Sequence, residues 1–140
     1  MNKIVSGLVY PEQVKKMVIS SGDVHDIDEL AVWMNIPSAQ ASVMIEAWLE
    51  EGRVLDLRYQ DKRYFPSYLF DPTLNFEPRP VIKKIVHVLS EKMGPWQVAF
   101  WFICHSRFLQ NLSPRQVILN DEELVLKAAV FEIALGDQHG

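Results

Sequence analysis

Four basic side chains stand close together in the middle of the chain, Arg53, Arg58, Lys62 and Arg63, and cations gathered on a short polar turn are suited to contacting phosphate. They would equally serve as the solvated surface of a helical module. Upstream, Gln40 and Ser42 fall off the apolar stripe of a predicted helix, where an amide can bond adenine and a hydroxyl can bond a base edge or a phosphate. Gln40, Ser42, Arg58, Lys62 and Arg63 are therefore the candidate DNA-contacting residues. Further on, Trp96, Phe100, Trp101, Phe102 and Phe108 make an aromatic concentration flanked by Arg107 and Arg115. Such a set suits either a packed core or a protein-binding face, because aromatic residues and arginine are enriched at interfaces. Trp101, Arg107, Phe108 and Arg115 are the candidate partner-contacting residues.

Covalent catalysis finds little support. His25, His87, His105 and His139 share no spacing that would place two imidazoles on one metal, and the single cysteine, Cys104, excludes a Cys-rich zinc site or an internal disulfide. Cys104 falls in an apolar helical run, where a thiol behaves as a small hydrophobe rather than a nucleophile. Asp121, Glu122 and Glu123 occupy the first turn of a predicted helix, where carboxylates complement the backbone dipole. No glycine-rich phosphate loop and no nucleophile elbow is present. The expectation is a protein that is not an enzyme, with no catalytic residues, metal or cofactor.

The elements that must position these residues follow from periodicity. A first helix runs from Pro11 to about Ser20; Asp26 with Glu29 forms a capping box for a second helix ending near Asn35; a third starts at Pro37-Ser38, carries Ala41, Ile45, Trp48 and Leu49 on one face, and ends before Gly52. Alternation of Leu55, Leu57 and Tyr59, a polar turn Gln60-Asp61-Lys62-Arg63, then Tyr64 and Phe65, predict a hairpin that Pro66 ends. Residues 71–80 hold three prolines and are expected to be a linker. Beyond it the pattern is helical. An amphipathic helix over 81–93 stops at Gly94-Pro95, a nearly all-apolar one runs from Pro95 to about His105, Ser113 and Gln116 cap a short one, and a last one ends at Gly136.

At 140 residues the chain has room for one domain or two small modules. The fold class expected is mostly α. A winged helix-turn-helix-like module with one β-hairpin occupies 1–70, a proline-containing linker 71–80 and an all-helical module 81–140. Fourteen basic against eighteen acidic residues give a net charge of −4, so bulk attraction to nucleic acid or membrane is excluded and any DNA contact must be local. The longest apolar run, 98–104, is far too short to span a bilayer, and a cytoplasmic location is expected.

The run Glu51-Gly52-Arg53-Val54-Leu55 leading through Tyr64-Phe65-Pro66-Ser67-Tyr68-Leu69-Phe70-Asp71, then Pro95-Trp96 to Trp101-Phe102, then Phe108-Leu109-Gln110-Asn111-Leu112-Ser113-Pro114-Arg115, resembles antitoxins that carry the Xre/MbcA/ParS toxin-binding domain, over about residues 52–136. The chain departs from that pattern at Asn111-Leu112, where a glycine is expected before Ser113-Pro114, and in a third helix without arginine or lysine. The resemblance implies a helix-turn-helix followed by a helical domain that blocks a cognate toxin, commonly a RES-type toxin that degrades NAD. It also implies a homodimer that represses its own operon by binding operator DNA. The different-class alternative is an orphan regulator or interaction adaptor without a toxin.

Overall fold

The computed structural model describes residues 11–139. Helix α1 (Pro11–Ser20) opens on proline, whose missing N–H costs nothing at a helix start, and turns Val14 and Val18 inward. Strand β1 (Val24–His25) leads to α2 (Ile27–Met34). The predicted capping box is present: Glu29 N donates to Asp26 Oδ1 and Asp26 N donates to Glu29 Oε1, both at 2.9 Å. Asn35 closes α2 in the left-handed conformation, and α3 (Ser38–Glu50) then buries Ala41, Ile45 and Trp48.

Strands β2 (Leu57–Tyr59) and β3 (Lys62–Pro66) form the hairpin, with Leu57 opposite Tyr64 and Tyr59 opposite Lys62. Its turn is two residues, not the four expected. Gln60 and Asp61 both take positive φ, 50° and 66°, which matches the right-handed twist of the flanking strands, so Lys62 and Arg63 belong to β3. β3 also pairs with β1, giving a sheet in the order β1-β3-β2. Two-residue β1 has no alternation to betray it in the sequence.

Residues 71–80 are an ordered ribbon rather than a bare linker. Strand β4 (Phe70–Asp71) pairs with β5 (Glu77–Pro78) around a 3-10 turn at Pro72–Leu74. The amide and hydroxyl of Thr73 both donate to Asp71 Oδ1, at 3.0 and 2.7 Å, and hold that carboxyl below the usual carboxylate range. Helix α4 (Pro80–Leu89) stops four residues before Met93, the expected end, because the chain folds into a turn there, with Met93 N donating to Leu89 O.

Helix α5 (Pro95–Ile103) follows, capped by Gly94 N donating to Gln97 Oε1. The short α6 (Pro114–Val117) is capped by Ser113, whose N and Oγ both donate to Gln116 Oε1. The last helix, α7 (Glu122–His139), runs past Gly136 instead of ending there. A glycine inside a helix costs only about 1 kcal/mol, which a helix packed along its length tolerates.

The molecule is mostly helical with a small antiparallel sheet, and the two halves of the chain share one core. Helix α1 packs on α5, α4 on α7 and α2 on α3, and Leu30, Ile45, Phe65, Leu69, Ile82, Ile85 and Phe102 belong to a single buried cluster. Polar ties cross the same boundary. Arg115 Nη1 donates to Asp23 Oδ2 at 2.6 Å and to Ser21 O at 3.2 Å, and Trp96 Nε1 donates to Arg58 O at 3.2 Å.

The loop before α6 stores strain: Gln110 and Asn111 take φ of 57° and 67°. Asparagine tolerates the left-handed region, whereas a glutamine Cβ crowds the following carbonyl there. Gln110→Gly is expected to raise stability by about 0.5–1 kcal/mol, the relieved strain less glycine's entropic cost, and Asn111→Gly by less. Urea midpoints of the two variants check the order.

Candidate functional site

Two surfaces gather the residues singled out in the sequence. The first is the face made by α3 and the β2–β3 hairpin. Along α3 the outward positions are Ser38, Ala39, Gln40, Val43, Glu46, Ala47 and Glu50, while Ser42 is half-buried beside the core stripe. No cation lies on this helix. The whole stretch 26–51, covering α2 and α3, holds six carboxylates and no lysine or arginine.

Arg58, Lys62 and Arg63 do come together on the hairpin, but each has a carboxylate partner. Arg58 Nε lies 3.2 Å from Asp56 Oδ2, Lys62 Nζ 3.7 Å from Asp26 Oδ2, and Arg63 Nε 3.3 Å from Asp56 Oδ1, while Arg63 Nη1 donates to Glu46 Oε1 on α3. Between the hairpin and α1 lies an open polar cavity of about 540 Å³ that Lys15, Arg58, Lys62 and Arg63 line together with Glu12 and Asp61. Arg53, the fourth basic residue of the sequence cluster, points elsewhere and bonds Glu77 of the ribbon at 2.9 Å. That bond, more than the one to Glu51, raises its guanidinium pKa further.

The second surface is an apolar groove of about 940 Å³ between α5 and α7, closed at one end by the turn at Arg107–Leu109. Phe100 and Trp101 of α5 form one wall, and Phe131, Ile133 and Leu135 of α7 the other. Phe108 leans on Phe131 with ring centroids 5.0 Å apart, and the two remain 37% and 46% exposed. Both rings therefore keep part of their surface in water beside the groove.

The four candidate partner residues divide between these settings. Arg107 and Phe108 stand at the exposed lip of the groove. Trp101 belongs to the α5 wall but is 8% exposed and packs edge-on against Phe102 at 5.2 Å, so most of its ring serves the core. Arg115 is half-buried and engaged with Asp23 and Ser21, which makes it a tie between the halves. Beside that tie Tyr68 Oη is buried without a hydrogen-bond partner, and burial, then Asp23, push its pKa far up.

The sequence did not single out Phe131 and Leu135, although their four-residue spacing puts them on one helical stripe. A stripe of that kind looks like core until the neighbouring helices are known. Cys104 lies at the end of α5 and lines the groove with part of its surface exposed; burial and then Glu132 push its thiol up, the opposite of nucleophile activation. Among the described residues no three His, Cys, Asp or Glu side chains converge as metal ligands, and no helix is long and apolar enough to cross a membrane. No family model, no curated protein and no solved structure matches the chain.

Proposed function

We propose that this chain is a non-enzymatic, antitoxin-like binding protein whose helical half docks on a cognate toxin and covers the mouth of its active site. The observation that carries this reading is the exposed Phe108–Phe131 ridge beside the α5–α7 groove, an anchor of the kind that dominates protein interfaces. The resemblance to Xre/MbcA/ParS-type antitoxins supports a toxin as the partner and favours the NAD-degrading RES type. Occlusion is steric, so no group on this chain needs to react. A homodimer would bring two such ridges into one assembly.

The first half supports a second role. The order helix, strand, helix, helix, strand, strand, with β3 between β1 and β2, supports reading this half as a winged helix-turn-helix-like module, in which α3 would enter a major groove and the hairpin would reach phosphates. On this reading the module would hold operator DNA weakly and through the hairpin, since α3 has no cation. A dimer using three cations per chain would give a slope of log affinity against log salt no steeper than about −5. The bare α3 favours the adaptor alternative, in which a protein partner is kept and the DNA role lost.

The test uses the whole chain, because α5 rests on α1 and a truncation would uncover it. Co-expressed with a RES-type toxin, taken from the adjacent reading frame where that frame encodes one, the protein is expected to preserve cellular NAD. Phe131→Glu, which puts a charge in the middle of the ridge, is expected to weaken toxin binding about 100-fold and abolish protection while leaving thermal unfolding near wild type. Light scattering on both proteins gives the assembly state, twice 16.2 kDa supporting the dimer. Failure of the unaltered protein to protect would leave the adaptor reading in place.

A further inference from the structure

The hairpin's cations are already occupied. Glu46 of α3, Asp56 at the entry to β2 and Asp26 at the cap of α2 hold Arg63, Arg58 and Lys62, so the oxygens that phosphates would supply come from three carboxylates of the same chain. Glu46 sits on α3 and Asp26 at the cap of α2 rather than on the hairpin itself, which ties the hairpin's basic edge to the two helices beside it. Asp28 and Glu50 lie on the same two helices and hold none of the hairpin cations. The pairing is therefore selective within an acidic stretch.

We infer that Glu46, Asp56 and Asp26 form an autoinhibitory contact, an internal stand-in for the phosphodiester backbone that keeps Arg58, Lys62 and Arg63 from nucleic acid until it is displaced. The inference rests on the proposal that the hairpin is the phosphate-contacting part of this module. Exposed ion pairs are weak individually, so the contact acts by competition: an incoming phosphate must expel a carboxylate and then tolerate it nearby. Each cation released adds about 0.9 to the salt slope of binding.

The experiment compares three full-length proteins, the unaltered chain, Glu46→Gln with Asp56→Asn, and Asp28→Asn with Glu50→Gln, on a fluorescent mixed-sequence DNA duplex at low salt. Both variants gain the same net charge, and only the first frees arginines. The first is expected to bind about tenfold or more tighter than the unaltered chain, with a salt slope steeper by about 1.8 for each chain on the duplex, about 3.6 for a dimer, and the second less than about threefold tighter. Equal gains in the two variants would overturn the inference, since bulk charge would then explain them. Inorganic pyrophosphate separates it from the DNA role. If pyrophosphate moves the guanidinium NMR signals of Arg58 and Arg63 in the freed variant and not in the unaltered chain, while neither binds duplex, the internal contact stands and the DNA role falls. If neither probe distinguishes the freed variant, the contact is not inhibitory. Near-identical far-UV circular dichroism and melting show that the variants fold, and Glu46→Gln alone repeats the test with one bond removed.

Discussion

Phe102→Ala is expected to lower the stability of the whole chain by about 3–5 kcal/mol and to do so in one transition. Phe102 is fully buried, lies 4.8 Å from the Tyr68 ring and 5.2 Å from that of Trp101, and sits on α5 where α1 from the other half packs. Truncation removes the transfer free energy of the ring and leaves a cavity that the surrounding structure closes only in part. Against a total stability of about 5–15 kcal/mol the loss is a large fraction. If residues before and after the ribbon folded independently, the first half would keep its own midpoint. Urea titration followed by far-UV circular dichroism and by tryptophan fluorescence distinguishes the cases, because Trp33 and Trp48 report on the first half and Trp96 and Trp101 on the second. Two separated midpoints, with only the second moved, would contradict a shared core.

That shared core explains what could be read from the residues and what could not. Caps and periodicity are local: Asp26 with Glu29, Pro95 after Gly94 and Ser113 with Gln116 each marked a helix start that the structure has. The expected turn of the hairpin and the end of α7 missed by a few residues because the competing preferences are small. Gln60-Asp61 needs positive φ at two non-glycine residues, and Gly136 costs less than the packing of the helix around it. The candidate surfaces were harder, since they depend on pairs far apart in sequence. Arg63 as a cation was legible; its occupation by Glu46, seventeen residues earlier, was not. The all-round apolar character of α5 offered burial or a partner face, and the helix divides, with Val98, Ala99 and Phe102 buried and Phe100 lining the groove.

Arg79 is the sharpest instance, a charged residue between two prolines that reads as linker and is 8% exposed. Its amide donates to Leu69 O at 2.8 Å, its Nε to Tyr68 O at 3.0 Å and its Nη1 to Glu122 Oε2 at 3.1 Å, with Asp71 Oδ2 at 3.9 Å. One side chain thus joins the ribbon, the start of α4 and the first turn of α7. Arg79→Met keeps the volume but leaves the Tyr68 carbonyl without its donor and sets Glu122 and Asp71 facing each other with no cation between them. Removing one partner of a fully buried pair costs about 3–5 kcal/mol; Glu122 remains about a third exposed, which brings the expected loss to about 2–4 kcal/mol. Adding Glu122→Leu takes away the uncompensated carboxylate, and the double variant is expected to recover to within about 1–2 kcal/mol of the unaltered chain, the remainder reflecting the lost bond to Tyr68 O and the lost helix-start carboxylate. A double-mutant cycle on urea midpoints measures the coupling. Additive losses, with the double variant worse than Arg79→Met alone, would mean that Arg79 acts through its bonds to the ribbon backbone and that its charge contributes nothing to holding α7.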